Sequence, residues 1–284
     1  MKRTSSFNNN QSCLYLVATP IGNIQEMSPR AISTLKDVNY IAAEDTRVTN
    51  KLLSLIGINN KTIISCHEHN EITRTKEIIV LLKEGNSVAY VSDAGMPCIS
   101  DPGNILVKEC IENNIPIVPI SGPNAALNSL IASGLDTSKF YFHGFLDAKE
   151  NVRKEELRIL AKRKETIIFY EAPHRIDKTI KNLYEILGNR KACIARELTK
   201  IHEEFIRGTL EEFLTIDKTT LKGEMVIVIE GNKAEITDFL DPKDIVELIK
   251  NFTLTGLSTK DAIKKASQLL NLPKNKLYAM YHKD

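Results

Sequence analysis

The stretch VAYVSDAGMPCISDPGN, residues 88–104, decides the fold because it joins a strand to a helix through an unusually constrained loop. Its first five residues, 88–92, are mostly apolar and predict a buried strand. The loop that follows holds Asp93, Asp101, two glycines and two prolines. Glycine allows a close approach of the backbone, and proline fixes the path of the chain. We therefore expect a stiff loop that forms one wall of a ligand site.

Similar units repeat along the first half of the chain. Apolar runs with the length of strands lie at residues 14–17, 40–44, 62–65, 88–92 and 117–121. A loop and a helical pattern follow each run, and in the first of these helices Ser28 is the expected N-cap and Pro29 the first helical residue. Repeated strand-loop-helix units predict a mostly parallel sheet with helices on both faces.

The pattern is interrupted at GLDTSK, residues 134–139, and then restarts. Four further runs predict strands in the second half: FYFHGF, ETIIFYEAP, KACIARE and KGEMVIVIEG. The end of the chain predicts short helices around a turn at Leu272 and Pro273. We predict an α/β protein with a disordered tail at 1–12, α/β domains at 13–135 and 136–232, and a small helical, helix-turn-helix-like domain at 240–284.

The composition sets limits on location and partners. The formal net charge of +2 over 284 residues does not by itself indicate a nucleic-acid partner. The five cysteines form no C-x-x-C pair and are odd in number, which argues against a disulfide framework and predicts a cytoplasmic protein. No apolar run approaches the roughly 18 residues of a membrane span, so we expect no membrane partner.

Polar, glycine-rich and proline-rich loops follow the predicted strands. In parallel sheets, ligands bind outside the carboxyl ends of the strands, where these loops lie. The loops lack the G-x-x-x-x-G-K-[ST] motif of phosphate-binding ATPases and the G-x-G-x-x-G motif of dinucleotide sites, and also the common glycine-rich turn of methyltransferases. Cys66, His67 and His69 have no matching second pair, so we predict no metal site.

In their order along the chain, the loops resemble those of one known superfamily. The motifs are TPIGN, EDTR, SDAGMPCISDPG, SGPNAAL, FHGF, EAPHR and ARELTK. Together they resemble the tetrapyrrole methylase superfamily, and within it the branch that modifies ribosomal RNA. The resemblance implies an S-adenosylmethionine-dependent enzyme that methylates the ribose 2′-hydroxyl of a cytidine in the decoding region of 16S rRNA. It also implies a homodimer that acts on the small ribosomal subunit.

Two alternatives stay open. The first is a methyltransferase that acts on a tetrapyrrole or another small molecule. Porphyrin enzymes of the superfamily carry a Gly-Pro-Gly-Asp turn where this chain has TPIGN, residues 19–23, and this difference favours the RNA branch. The second alternative is a non-enzymatic RNA-binding or ribosome-binding module, which the many ionisable residues at one sheet edge disfavour.

The resemblance also implies where the cofactor binds. In this superfamily S-adenosylmethionine lies folded in the cleft between the two α/β domains. The cofactor contacts implied for the first domain are Pro20, Asp93, Ala94, Gly95, Met96, Ala125, Ala126 and Leu127. Those implied for the second domain are Tyr170, Arg196 or its neighbour Ala195, Gly223 and Glu224.

Methylation of a ribose hydroxyl calls for a general base, because the hydroxyl is a weak nucleophile until its proton leaves. The candidate bases are Glu44, Asp45, His69, Glu71 and Glu197. We prefer His69 or Glu71, because the segment CHEHNE is polar, irregular and follows an apolar strand. The residues expected to hold phosphate or to orient carboxylates are Arg47, Arg175, Arg196 and Lys200.

Two basic regions are candidates for contact with RNA phosphates, namely residues 149–164 and the lysine-rich end of the chain. The predicted RNA-binding residues are Arg153, Lys154, Lys162, Arg163 and Lys164. Such contacts act mainly through charge, so we expect salt to weaken RNA binding.

Overall fold

The computed structural model describes residues 12–233, 242–270 and 272–282. These residues form two compact units, of which the first ends at Gly231 and the second begins at Asn232. Residues 1–11 of the predicted tail and residues 240–241, 271 and 283–284 of the predicted helical domain lie outside the described residues. Both α/β domains lie in the first unit.

The N-terminal domain contains a five-stranded sheet in which every pairing is parallel. Its strands are β1 (Leu14–Val17), β2 (Tyr40–Ala43), β3 (Thr62–Ser65), β4 (Val88–Val91) and β5 (Ile117–Ile120), in the spatial order β3-β2-β4-β1-β5. Its helices are α1 (Pro29–Asp37), α2 (Thr46–Leu55), α3 (Glu71–Lys83), α4 (Asn104–Glu112) and α5 (Ala125–Ser133). The predicted parallel sheet is confirmed, and Ser28 caps α1 by accepting a hydrogen bond from the backbone of Ala31.

Strand β4 shows why the apolar runs are continuous. All four of its residues are buried. Ala89 and Val91 belong to a core that includes residues of α1 and α2, whereas Val88 and Tyr90 belong to a second core that includes residues of α3 and α4. Alternate side chains of a strand point to opposite faces, so helices on both faces require apolar residues at every position.

The second domain also contains a five-stranded sheet, but this sheet is mixed. Its strands are β6 (Phe140–Phe145), β7 (Thr166–Glu171), β8 (Lys191–Arg196), β9 (Glu204–Thr209) and β10 (Met225–Ile229), in the order β6-β7-β10-β8-β9. Its helices are α6 (Glu150–Leu160), α7 (Ile176–Leu187) and α8 (Leu210–Leu214). Only the β6 and β7 pairing is parallel. The sequence prediction missed β9, an edge strand without a fully buried side chain and therefore with a weak apolar pattern.

Helix α5 joins the two domains. It follows β5 of the first sheet, yet Ala126 and Leu130 pack in one core with Val226 and Val228 of β10. Strand β10 is therefore covered on both faces, by α5 on one side and by the core around α7 on the other. The predicted domain boundary at residues 135 and 136 falls between α5 and β6 and stays a prediction.

The C-terminal unit is helical. Its described residues form α9 (Pro242–Leu254), α10 (Thr259–Leu270) and α11 (Lys274–Tyr281). The three helices share a core that includes Ile249, Ile263, Leu272 and Leu277. Among the described residues, no helix combines the length and the apolar character that crossing a membrane requires.

Candidate active site

A cavity of about 420 Å³ lies between the two α/β domains of the first unit. It opens at the carboxyl ends of the N-terminal strands, as the loop motifs predicted. The lining residues from the first domain are Ile21, Glu44, Asp93, Ala94, Gly95, Met96, Ile99, Ser100, Asp101, Asn124 and Ala125. Those from the second domain are Phe145, Tyr170, Glu171, Ala172, Pro173, Glu197, Leu198, Lys200, Glu224, Met225 and Val226.

The loop after β4 forms one wall of this cavity. Gly95 and Thr19 exchange two backbone hydrogen bonds of 2.9 and 3.1 Å, which connect this loop to the loop after β1. At Gly103 the φ angle is +122°, and a Cβ atom there would lie 2.7 Å from the side chains of Cys98 and Tyr90. Only glycine fits such a position, so the sequence pattern reflects close packing of the wall.

Glu71 supports the same wall from behind, which corrects its assignment as a candidate base. Its side chain is buried, and one carboxylate oxygen accepts hydrogen bonds of 2.9 Å from the backbone N–H groups of both Gly103 and Ile105. These groups lie at the start of α4, where backbone N–H groups lack partners within the helix. His69 lies in an exposed turn before α3 and does not line the cavity.

The cavity is acidic. The carboxylates among its lining residues are Glu44, Asp93, Asp101, Glu171, Glu197 and Glu224, and the one cationic side chain among the described lining residues is Lys200. Lys200 forms an ion pair with Glu197, in which its Nζ atom lies 2.9 Å from Oε1 of the glutamate. This contact lowers the pKa of Glu197. The remaining surplus of negative charge suits a positively charged ligand.

Asp101 has the most perturbed carboxyl group of the cavity. Burial raises its pKa to about 6, and the negative charges of Glu44, Asp93 and Glu224 act in the same direction. Burial also raises the pKa of Glu44, and the charge of Asp93 adds to this effect. Perturbed carboxyl groups of this kind in a cleft are typical of catalytic sites. The sequence pattern assigns no role to Asp101, although this residue lies in the constrained loop after β4.

Two of the predicted orienting residues, Arg175 and Arg47, differ in whether they contact a carboxylate of the cavity. Arg175 contacts Glu171 of the cavity wall at 3.3 Å and donates a hydrogen bond to the backbone carbonyl of Leu146. It therefore holds a lining carboxylate in place. Asp45 caps α2 and pairs with Arg47 at 2.6 Å, a contact that lowers the pKa of Asp45 to about 2. These two residues follow Glu44 but do not line the cavity.

The cavity includes most of the positions implied for the cofactor. Asp93, Ala94, Gly95, Met96, Ala125, Tyr170 and Glu224 line it. The other implied positions, Pro20, Ala126, Leu127, Arg196 and Gly223, do not. Gly223 packs against Glu197, which does line the cavity. The φ angle of Gly223 is +79°, and a Cβ atom there would lie 2.0 Å from Oε1 of Glu197.

The predicted RNA-binding residues differ in their exposure to solvent and in the partners that they already have. Arg153 is buried and donates hydrogen bonds to Asn182 and to two backbone carbonyls, so its guanidinium group stabilises the fold and is not available to a phosphate. Lys154 pairs with two glutamates, and Arg163 stacks on the ring of Tyr141. Lys162 and Lys164 are exposed. The prediction for Arg153 is therefore corrected by its burial.

Neither metal nor disulfide chemistry is built into the described residues. All five cysteines are free thiols. Within the described ranges, no group of three or more His, Cys, Asp or Glu side chains could hold a metal ion.

Three comparisons with known proteins bear on this site. Residues 13–214 match the family model described as Tetrapyrrole (Corrin/Porphyrin) Methylases. A protein of Bacillus subtilis (strain 168), named ribosomal RNA small subunit methyltransferase I, is 45% identical over 289 residues, which cover 99% of each chain. A protein of the same name from Halalkalibacterium halodurans is 44% identical over 294 residues and the full length of both chains.

Solved structures share the fold at low sequence identity. The methyltransferase CobJ has a TM-score of 0.59 at 17% identity and covers 78% of this chain and 95% of its own. The uroporphyrin-III-C-methyltransferase of Thermus thermophilus has a TM-score of 0.55 at 18% identity and covers 78% of this chain and 94% of its own. The family match and the full-length relatives confirm the resemblance predicted from the loop motifs. The chain belongs to the tetrapyrrole (corrin/porphyrin) methylase family.

Proposed function

We propose that this chain transfers a methyl group from S-adenosylmethionine to ribosomal RNA of the small subunit, at the 2′-hydroxyl of a cytidine ribose in the decoding region. The observation that carries the proposal is the acidic cavity between the domains, in a chain whose full-length relatives bear the name of an rRNA methyltransferase. The cytidine and its 2′-hydroxyl come from the resemblance of the loop motifs.

The residues of the cavity fit S-adenosylmethionine. A volume of about 420 Å³ lies in the usual range for small-molecule sites. The carboxylates suit the positive charges of the sulfonium and amino groups, and apolar side chains such as Ile21, Ile99 and Met225 suit the adenine ring. When bound, the cofactor supplies a methyl group on a positively charged sulfur. The chain must then hold the acceptor oxygen in line with that group and exclude water.

Asp101 is the general base of the proposal. It lines the cavity, and its pKa of about 6 leaves it ionised at neutral pH while making it a stronger base than an ordinary aspartate. Two of the other lining carboxylates are already paired with a cation. Glu171 is paired with Arg175, and Glu197 is paired with Lys200. Asp101 therefore takes the role for which the sequence favoured His69 or Glu71.

We propose a homodimer, and Leu127 and Ile131 of α5, with 45% and 74% of their surfaces exposed, provide apolar area for contact with a second copy. Sedimentation equilibrium of the full chain tests this part. The proposed substrate places the protein in the cytoplasm, where its five free cysteines would stay reduced.

The chemistry of the product tests the proposed acceptor atom. Small subunits that lack the modification are incubated with the enzyme and S-adenosylmethionine labelled in the methyl group, and the RNA is then hydrolysed in alkali. A methylated 2′-oxygen cannot attack the neighbouring phosphate, so the label is expected in one alkali-resistant dinucleotide that begins with cytidine. Label released in a mononucleotide would show methylation of a base and would contradict the proposal.

A second candidate is methylation of a tetrapyrrole or another small molecule. It draws on the solved structures that share the fold, but at 15–18% identity these speak to the fold alone. The TPIGN turn, residues 19–23, differs from the Gly-Pro-Gly-Asp turn of the porphyrin enzymes. We therefore place this candidate second.

A further inference from the structure

An open groove of about 470 Å³ lies beside the cavity in the second domain. It is lined by Arg196, Glu197, His202, Thr219, Thr220 and Lys222. These residues come from the end of β8, from the loop between β8 and β9, and from the turn before β10. Glu197 lines both the groove and the cavity, so the two spaces share one wall.

The loop at residues 197–203, between β8 and β9, is held rigidly. Glu197 and Thr199 have φ angles of +49° and +66°, which residues other than glycine rarely adopt. Such backbone persists only where the surroundings enforce it, and it is concentrated at functional sites. The enforcing contacts include a 2.6 Å hydrogen bond from the Thr199 backbone to Glu203. Close packing of Gly22, from the other domain, against Lys200 acts in the same way.

The same loop carries one apolar side chain, Ile201, that is almost completely exposed to solvent. Ile201 is 94% exposed, and His202 beside it is also exposed. Single exposed apolar residues are common on protein surfaces, so Ile201 matters only because of its neighbours. It lies on a rigid loop next to a groove with three basic side chains.

The donors of the groove match the oxygens of a phosphodiester. Arg196 and Lys222 supply a guanidinium and an ammonium, which are groups that contact nucleic-acid phosphates. The hydroxyl groups of Thr219 and Thr220 already donate hydrogen bonds to the side chain and the backbone carbonyl of Asp217, so they are not available as donors to a phosphate. The Nε atom of Arg196 lies 2.5 Å from Glu204, which fixes the guanidinium at the edge of the groove. The carboxylate of Glu197 is paired with Lys200 and therefore opposes a phosphate less than a free carboxylate would.

We infer that this groove binds the phosphate backbone of the acceptor RNA strand next to the methylated nucleotide, while Ile201 packs against an adjacent base. The inference rests on the proposed function. The 2′-oxygen of a ribose is the immediate neighbour of its 3′-phosphate, so an acceptor ribose inside the cavity brings a phosphate to the cavity rim. A single-stranded segment can splay its bases for such a contact.

The test uses the full-length chain and unmodified small subunits. Lys222→Ala removes one cation of the groove, and Lys108→Ala on α4 removes an exposed cation elsewhere as the matched control. Affinity for the subunits is measured at several salt concentrations, together with the affinity for S-adenosylmethionine. For Lys222→Ala we expect weaker binding and a log-log salt slope shallower by about 0.7, the value for one phosphate contact on a single strand. The control and the affinity for the cofactor should not change.

Ile201→Ala supplies an independent variant that removes no charge. We expect a higher KM for the subunits with an unchanged salt slope and an unchanged free energy of unfolding, because the side chain is exposed. Wild-type binding by both variants, equal weakening in the Lys108→Ala control, or lost affinity for the cofactor would each overturn the inference. Failure of the wild-type chain to methylate subunits would instead overturn the proposed function.

Discussion

Asp101→Asn should separate stability from activity, because the same burial that suits Asp101 for proton transfer opposes folding. Its pKa is raised from 3.8 to about 6 in the folded chain. Ionisation is therefore less favourable in the folded state than in the unfolded state. The resulting cost is absent below about pH 3.8, grows up to about pH 6 and is constant above. Asparagine has nearly the same shape and carries no charge.

The expected change in the free energy of unfolding follows from the rise in the pKa of Asp101. Two pKa units correspond to about 3 kcal/mol. Because Asp101 is only partly buried, solvent screening reduces this value, and we expect the free energy of unfolding to rise by about 1 kcal/mol in Asp101→Asn above pH 7. The gain should vanish toward pH 4. Urea unfolding of both proteins at pH 4, 6 and 8 measures it.

Asp101→Asn should lower methyl-transfer activity even though it raises stability. Removal of a general base typically lowers the rate by roughly 10² to 10⁴, so methyl transfer by Asp101→Asn should fall within that range while S-adenosylmethionine still binds. In the wild-type chain, kcat/KM should fall tenfold per pH unit below about pH 6, where Asp101 becomes protonated. A variant that turns over at the wild-type rate, or that is less stable than the wild type at pH 8, would refute the reasoning.

Two further predictions concern residues that act behind the site. Glu71→Ala leaves two backbone N–H groups at the start of α4 without a partner, which should lower the free energy of unfolding by about 2–4 kcal/mol in urea titrations, whereas exposed His69→Ala should change neither stability nor methyl transfer. Gly223→Ala places a Cβ atom against the carboxylate of Glu197 and should weaken cofactor binding in calorimetry. The control Gly134→Ala has a nearly equal positive φ of +81° but no neighbour within 4 Å, so it should lose about 1 kcal/mol of stability without losing affinity for the cofactor. Equal affinity in the two glycine variants would contradict this role of Gly223.

The N-terminal sheet could be predicted from the sequence because residues close together in the sequence specify each of its strands and helices. Each strand is a short apolar run, each is followed by a helix, and parallel strands need such connections. The second sheet was harder to predict, because an antiparallel edge strand such as β9 (Glu204–Thr209) is half exposed and carries charge. Its pairing with β8 is a contact that no local pattern expresses.

The site shows the same division. The glycines and prolines of residues 93–103 predicted a stiff wall because they act on their own backbone. The roles of Glu71 and Arg153 depend on burial and on distant partners, a backbone 32 residues away for Glu71 and Asn182 for Arg153. Charge alone made both look available to a substrate. The raised pKa of Asp101 likewise comes from burial and from the charges of Glu44, Asp93 and Glu224, of which Glu44 and Glu224 lie on distant segments of the chain.

The most direct test of the account is the choice of acceptor. Labelled methyl transfer from S-adenosylmethionine is measured in parallel to small ribosomal subunits that lack the modification, to free 16S rRNA and to a reduced porphyrin precursor, with Asp101→Asn as the inactive control. The account predicts label in the RNA of the subunits, little label with the control variant, and none in the porphyrin. Label in the porphyrin alone would contradict it and would place the chain with the small-molecule methyltransferases of its family.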